Sequence, residues 1–189
     1  MRGAIALLLL VPTEAAARPT EVVVSAGILS PTPSTYRSTA ETLGYDRRGF
    51  RHVYEGEVAL LHALQWWISI GPVARFYYGD LAPPYEGVPQ ITTMAGSVGA
   101  RVEIDLFPYP RLFVWADPSL GIGEVGSRTA TFWGLRAGVG IGSTRDAASV
   151  RFRIGYATAP TFGVITDASG PFNFGGFMFQ LDGVFRVAR

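Results

Sequence analysis

Between Thr93 and Leu106 apolar residues recur on one side of a two-residue repeat. Met94, Val98, Ala100, Val102, Ile104 and Leu106 share one face, and Thr93, Ser97, Arg101, Glu103 and Asp105 share the other. That period belongs to a β-strand, because a helix would scatter the charges around its circumference. The alternation returns in Val150, Phe152, Ile154 and Tyr156 against Arg151, Arg153 and Gly155. It returns again in Phe177, Phe179, Leu181, Phe185 and Val187 against Gln180, Asp182 and Arg186. Counting such runs predicts eight strands, at 20–30, 51–64, 66–78, 92–106, 111–123, 131–142, 148–159 and 173–187. These are longer than the five or six residues of an ordinary strand and suit a tilted crossing of a bilayer.

The connections alternate in length. Those near Gln65, at Pro108-Tyr109-Pro110 and at 143–147 are tight, while 31–50, 79–91, 124–130 and 160–172 are longer and rich in Pro, Gly, Ser and Thr. An even strand number with short turns on one side and longer loops on the other predicts an all-β fold, an eight-stranded antiparallel up-and-down transmembrane β-barrel. Closure follows from the solvent, since lipid offers no partner to a free backbone N–H or C=O. Eight strands leave an interior that side chains fill, so the lumen is expected to be plugged.

An alternating barrel can also turn its oily face inward, as lipocalins do. Three features argue for oil outside. The polar stripe carries Gly134, Gly138, Gly140 and Gly142, which suit a crowded interior. Aromatic residues gather near the strand ends: Trp66, Trp67, Phe107 and Tyr109 by the tight turns, and Phe76, Tyr77, Tyr78, Trp133, Tyr156, Phe162 and Phe172 toward the long loops, with Phe185 near the chain end. They read as two interfacial girdles. Leu, Val, Ile and Ala fill the stripe between them. Charged residues make up only 16% of the chain, against about 25% in a typical soluble domain.

Residues 1–17 combine Arg2, a short apolar run from Gly3 to Val11 and the small residues Ala15-Ala16-Ala17. They read as a signal peptide cleaved after Ala17, being too short to span a bilayer as a helix, and 18–189 as one barrel domain. The expected address is the outer membrane of a Gram-negative bacterium. With no cysteine in the sequence, stability must come from something other than disulfides. A net charge of +1 with interspersed signs excludes a nucleic-acid footprint.

Strand parity sends Glu57, Arg75, Arg101, Glu103, Asp105, Asp117, Arg136, Arg151, Arg153, Asp182 and Arg186 into the lumen, where a salt-bridge network is expected, since buried charges need partners. His52 and His62 take the lipid-facing parity and are not placed for lumen chemistry. Gly121-Ile-Gly-Glu-Val-Gly126 matches a dinucleotide fingerprint, but it leads into a loop and another strand, with no helix N-terminus to hold phosphate. No metal site and no cofactor are expected.

From Glu21-Val-Val-Val24 to the last strand, the pattern resembles the small outer-membrane barrels of the OmpA transmembrane, OmpX and OmpW kind. The resemblance implies insertion by the barrel-assembly machinery, which in that family reads a terminal aromatic residue. This chain has Phe185 and continues through Arg186-Val-Ala-Arg189. It also brings to mind lipid A deacylases, in which a His and a Ser two residues later line one strand face, but Tyr54 stands two residues after His52. The expected function is therefore that of a non-enzymatic, monomeric membrane protein. Its partners are outer-membrane lipid and lipopolysaccharide, and its loops, above all 31–50 with Tyr36, Tyr45, Arg47 and Arg48, serve adhesion, defence or envelope integrity. The alternatives are a narrow channel or carrier for small or apolar solutes and, third, an outer-leaflet lipid-modifying enzyme.

Overall fold

The computed structural model of the chain describes residues 19–30, 50–81, 91–108, 110–125, 128–143, 148–158, 161–162 and 175–187. The expected signal peptide, the loop residues Tyr36, Tyr45, Arg47 and Arg48, and the girdle candidates Tyr109 and Phe172 lie outside them, as do the side chains of His52 and Phe162. The described residues form strands and no helix: β1 (Thr20–Ser30), β2 (Phe50–Gln65), β3 (Ile68–Leu81), β4 (Ile91–Pro108), β5 (Arg111–Val125), β6 (Arg128–Gly142), β7 (Ala148–Thr158), β8 (Thr161–Phe162) and β9 (Gly176–Val187). The two residues of β8 pair with Phe132 and Thr131 in the register that β7 already holds against β6, so β7 and β8 make one stave. Neighbouring staves pair antiparallel, and β9 returns to β1 along its whole length, closing an eight-stave up-and-down barrel.

The register sets the shape. Partners followed from Thr20 lead through His62, Ile70, Val102, Ala116, Ala137, Tyr156 and Phe177 back to β1 at Ser30, ten residues beyond the start. That stagger over eight staves, at about 3.3 Å per residue and about 4.8 Å between strands, gives a tilt of about 40° and a radius of about 8 Å. It also gives each residue a height above Thr20, rising by about 2.5 Å per residue along a stave and about 3 Å per stave crossed.

Exposure alternates as the pleat requires: on β2, Val53, Glu55, Glu57, Ala59 and Leu61 are buried, while Tyr54, Val58 and Leu60 between them are exposed. Among the described residues twenty-nine large apolar side chains are exposed and seventeen polar or charged ones are buried. That is the inverse of a water-soluble barrel and makes hydrocarbon the fitting solvent for the outer face. Two prolines stand in mid-stave. Pairing lapses between Ala59↔Val73 and His62↔Ile70 beside Pro72, and between Gly99↔Ser119 and Val102↔Ala116 beside Pro118, because neither proline has an N–H to give.

Several strand boundaries differ by a few residues from the sequence reading. The first tight turn is Trp66-Trp67, and β3 starts at Ile68 where a strand from 66 was expected, because the polar Gln65 ends β2 and is not itself the turn. The stretch 124–130, expected to be a longer loop, is mostly strand: β5 runs to Val125, β6 starts at Arg128, and these two residues are partners. Gly121 and Gly123, expected at the end of the strand 111–123, are strand positions on β5. The seventh run, expected at 148–159, is β7, and β8 at Thr161–Phe162 lies in the stretch 160–172 that was expected to be a loop.

Candidate functional site

Every stave sends at least one charged side chain into the lumen. Among the described residues, seven carboxylates (Glu21, Glu55, Glu57, Glu103, Asp105, Asp117 and Asp182) meet seven guanidinium groups (Arg75, Arg101, Arg111, Arg136, Arg151, Arg153 and Arg186) in one connected lattice of equal and opposite charge. Glu57 is its hub. Arg75 Nε donates to it at 2.8 Å, Arg101 Nη2 at 2.6 Å, Arg153 Nη2 at 2.7 Å and Arg136 Nη1 at 3.4 Å. Asp117 takes Arg101 Nη2 at 2.8 Å and Arg75 Nη2 at 2.5 Å. Arg153 forks onto both oxygens of Asp182 at 2.7 and 2.9 Å. Across the lumen, Arg136 Nη2 lies 2.8 Å from each oxygen of Glu55.

By register the lattice climbs from the tight-turn rim, where Arg111, Asp105, Glu21 and Arg186 sit, to Glu55 about 20 Å higher. Arg111 Nε donates to Asp105 at 2.7 Å, and Arg151 Nη1 reaches Glu103 at 2.8 Å. Two inward rings of β5 support the cations. Arg101, Arg136 and Arg153 lie 5.5, 6.0 and 5.1 Å from the Trp115 ring centre, and Arg111 and Arg151 lie 5.2 and 5.0 Å from that of Phe113. Such cation–π contacts gain strength where water is excluded. Gly140 lets the Phe113 ring in, since a Cβ there would collide with it.

Apolar clusters bound the lattice. Leu29, Val53, Tyr77, Ala95, Phe132 and Ala157 form a cluster toward the long-loop end, and Val23, Ala59, Leu61, Val73 and Val184 line the lower wall of β9, β1, β2 and β3.

Of the eleven expected lumen residues, Glu57, Arg75, Arg101, Glu103, Asp117, Arg136, Arg151, Arg153 and Asp182 are buried. Asp105 and Arg186 sit at the rim, their side chains 19% and 40% exposed. The sequence reading missed Glu21, Glu55 and Arg111. Parity could have found Glu55, two residues before Glu57 on one strand; Arg111 was hidden as the first residue after a turn. It also missed the inward aromatic rings, having taken the lumen to be polar. Tyr77, grouped with Phe76 and Tyr78 near the long loops, is buried in the lumen and belongs to no girdle, because parity turns it opposite to both neighbours.

Trp66, Trp67, Phe107 and Phe185 lie near the tight-turn rim, and Phe76, Tyr78 and Trp133 at the other end of the outer face. Tyr156 sits slightly lower, edge-on to Phe177 at 5.3 Å. The two groups are about 25 Å apart by register, the height of a membrane barrel's apolar band. His62 is exposed near the tight-turn end, its Nδ1 sharing a 3.1 Å hydrogen bond with Thr20 Oγ1.

The chain is similar in structure to neisserial surface protein A (NspA), at 14% identity and a TM-score of 0.51, over 91% of this chain and 97% of that one. Ail, the attachment invasion locus protein of Yersinia pestis, aligns at 11% identity and a TM-score of 0.44 over 90% and 97%. The N-terminal β-barrel domain of Pseudomonas aeruginosa OprF aligns at 14% and 0.38 over 89% and 97%. No family model and no curated protein matches the chain. The likeness to NspA shows the fold, that of the small eight-stranded outer-membrane barrels.

Proposed function

We propose that this chain is a non-enzymatic, monomeric outer-membrane protein of a Gram-negative bacterium, exported by a cleaved leader, with a plugged lumen and loops that act at the cell surface. The observation that carries the reading is the charge-neutral lattice inside a closed barrel whose outer face is apolar. A lattice in which each guanidinium has a carboxylate partner supports a scaffold more than a conduit, because passing ions would have to break buried pairs. Outer-membrane lipid and lipopolysaccharide then cover the band between the aromatic groups, and the barrel-assembly machinery inserts the strands. NspA is by name a surface protein, which fits a role carried by the loops in adhesion, defence or envelope integrity.

Refolded protein is expected to migrate differently on electrophoresis before and after boiling, since closed barrels resist detergent. In planar bilayers it is expected to show no steady large openings. Monodisperse protein in plain buffer without detergent would refute the membrane reading. Steady openings, or solute uptake into liposomes that disappears on replacing lattice residues, would refute the plug and favour the carrier.

A further inference from the structure

The two ladders that lapse at mid-height border the same hairpin, β3–β4. Among the described residues, the β1–β2, β3–β4, β5–β6, β7–β9 and β9–β1 ladders pair without a break between their ends. Between β2 and β3, pairing stops after Ala59↔Val73 and resumes at His62↔Ile70. Between β4 and β5, it stops after Gly99↔Ser119 and resumes at Val102↔Ala116. The register is the same on both sides of each lapse, so Pro72 stands opposite Leu60 and Pro118 opposite Ala100. Each proline takes an N–H rung out of its ladder, and hydrocarbon supplies no replacement. β3 and β4, by contrast, hold each other from Ile68↔Ile104 to Leu81↔Ile91 without a gap.

The same two seams are bridged from inside. Arg75 and Arg101 belong to the hairpin, Glu57 lies across one seam on β2, and Asp117 lies across the other on β5. Each arginine pairs with both carboxylates: Arg75 with Glu57 at 2.8 Å and Asp117 at 2.5 Å, Arg101 with Glu57 at 2.6 Å and Asp117 at 2.8 Å. All four side chains are fully buried. By register they lie about 12–18 Å above Thr20, level with the lapses at about 8–17 Å. We infer that the β3–β4 hairpin is a panel that opens as one piece along these two seams, and that the four-charge cluster is the latch holding it shut against the lipid. Local opening is easiest where a ladder has lost rungs. Here that opening would also pull a carboxylate away from two buried guanidinium groups, which costs far more than a missing rung. A plug closes the lumen along its axis, whereas this latch closes the wall sideways.

Residue-resolved amide hydrogen exchange of the refolded protein in lipid nanodiscs tests the latch, with the heat-dependent gel shift verifying the barrel of each variant. Asp117→Asn is expected to speed exchange of the amides bonded across β4–β5 by about tenfold or more, and Glu57→Gln to do the same across β2–β3, while amides bonded across β3–β4 change by less than about twofold. Asp182→Asn weakens ion pairs to Arg151 and Arg153 beside the unbroken β7–β9 ladder and is expected to leave both panel seams as they were. Pro118→Ala, which returns an N–H to β5, is expected to slow exchange across β4–β5 severalfold, and this arm decides if a charge variant fails to fold. Equal acceleration on all three seams, no acceleration in a folded charge variant, or no slowing by Pro118→Ala would overturn the panel. Steady bilayer conductance of the unsubstituted protein, by contrast, would count against the plug and not against the latch.

Discussion

Glu57 gathers guanidinium groups from four other staves, β3, β4, β6 and β7, and each of those four arginines pairs with a further carboxylate. At this scale the protein's problem is desolvation. A charge taken out of water is tolerated when its partners are held at hydrogen-bond distance, and removing one partner strands the other. Glu55 and Arg136 isolate the effect, because their 2.8 Å pair joins opposite sides of the lumen and, among the described residues, the ion pairs of Glu55 run to Arg136 alone. Glu55→Leu is expected to cost about 3–5 kcal/mol in denaturant unfolding from lipid vesicles. Glu55→Leu combined with Arg136→Met is expected to recover most of that loss, since no buried charge is then left alone. A double variant as unstable as the sum of the two single ones would show that packing, and not charge pairing, sets the cost.

The staves themselves were legible in the residues. Alternation placed all eight runs, and parity placed nine lumen charges that the structure shows buried, because a strand's pleat fixes side-chain direction locally. Glycine is more than a turn signal here: Gly121, on the strand expected at 111–123, makes space for the Phe132 ring, and Gly140, expected on the polar face of a crowded interior, makes space for that of Phe113. Gly140→Val tests this use of glycine: the branched side chain meets the Phe113 ring and should destabilise the barrel by about 1–3 kcal/mol, as overpacking does. Adding Phe113→Leu should relieve part of the loss in the same titration. Without relief, the collision is with the backbone.

For the whole molecule the deciding quantity is the solvent outside. Leu181 is 58% exposed at middle height, whereas Val187, 49% exposed, lies at the tight-turn rim. Leu181→Arg is expected to lower folding stability in vesicles by about 2–4 kcal/mol and Val187→Arg by about 0–1, a depth dependence that only a hydrocarbon slab produces. Equal small effects would mean that water bathes the outer face. The sequence by itself determined what each strand shows to its two sides, and hence an all-β barrel with oil outside and charge inside, because period and parity are properties of a few neighbouring residues. Only the tertiary structure decided which charges meet. The ten-residue stagger brings Glu55 to Arg136, 81 residues away, and sets the Tyr77 and Phe132 rings edge to face at 6.3 Å. That offset arises when the last stave closes on the first, so no single strand carries it.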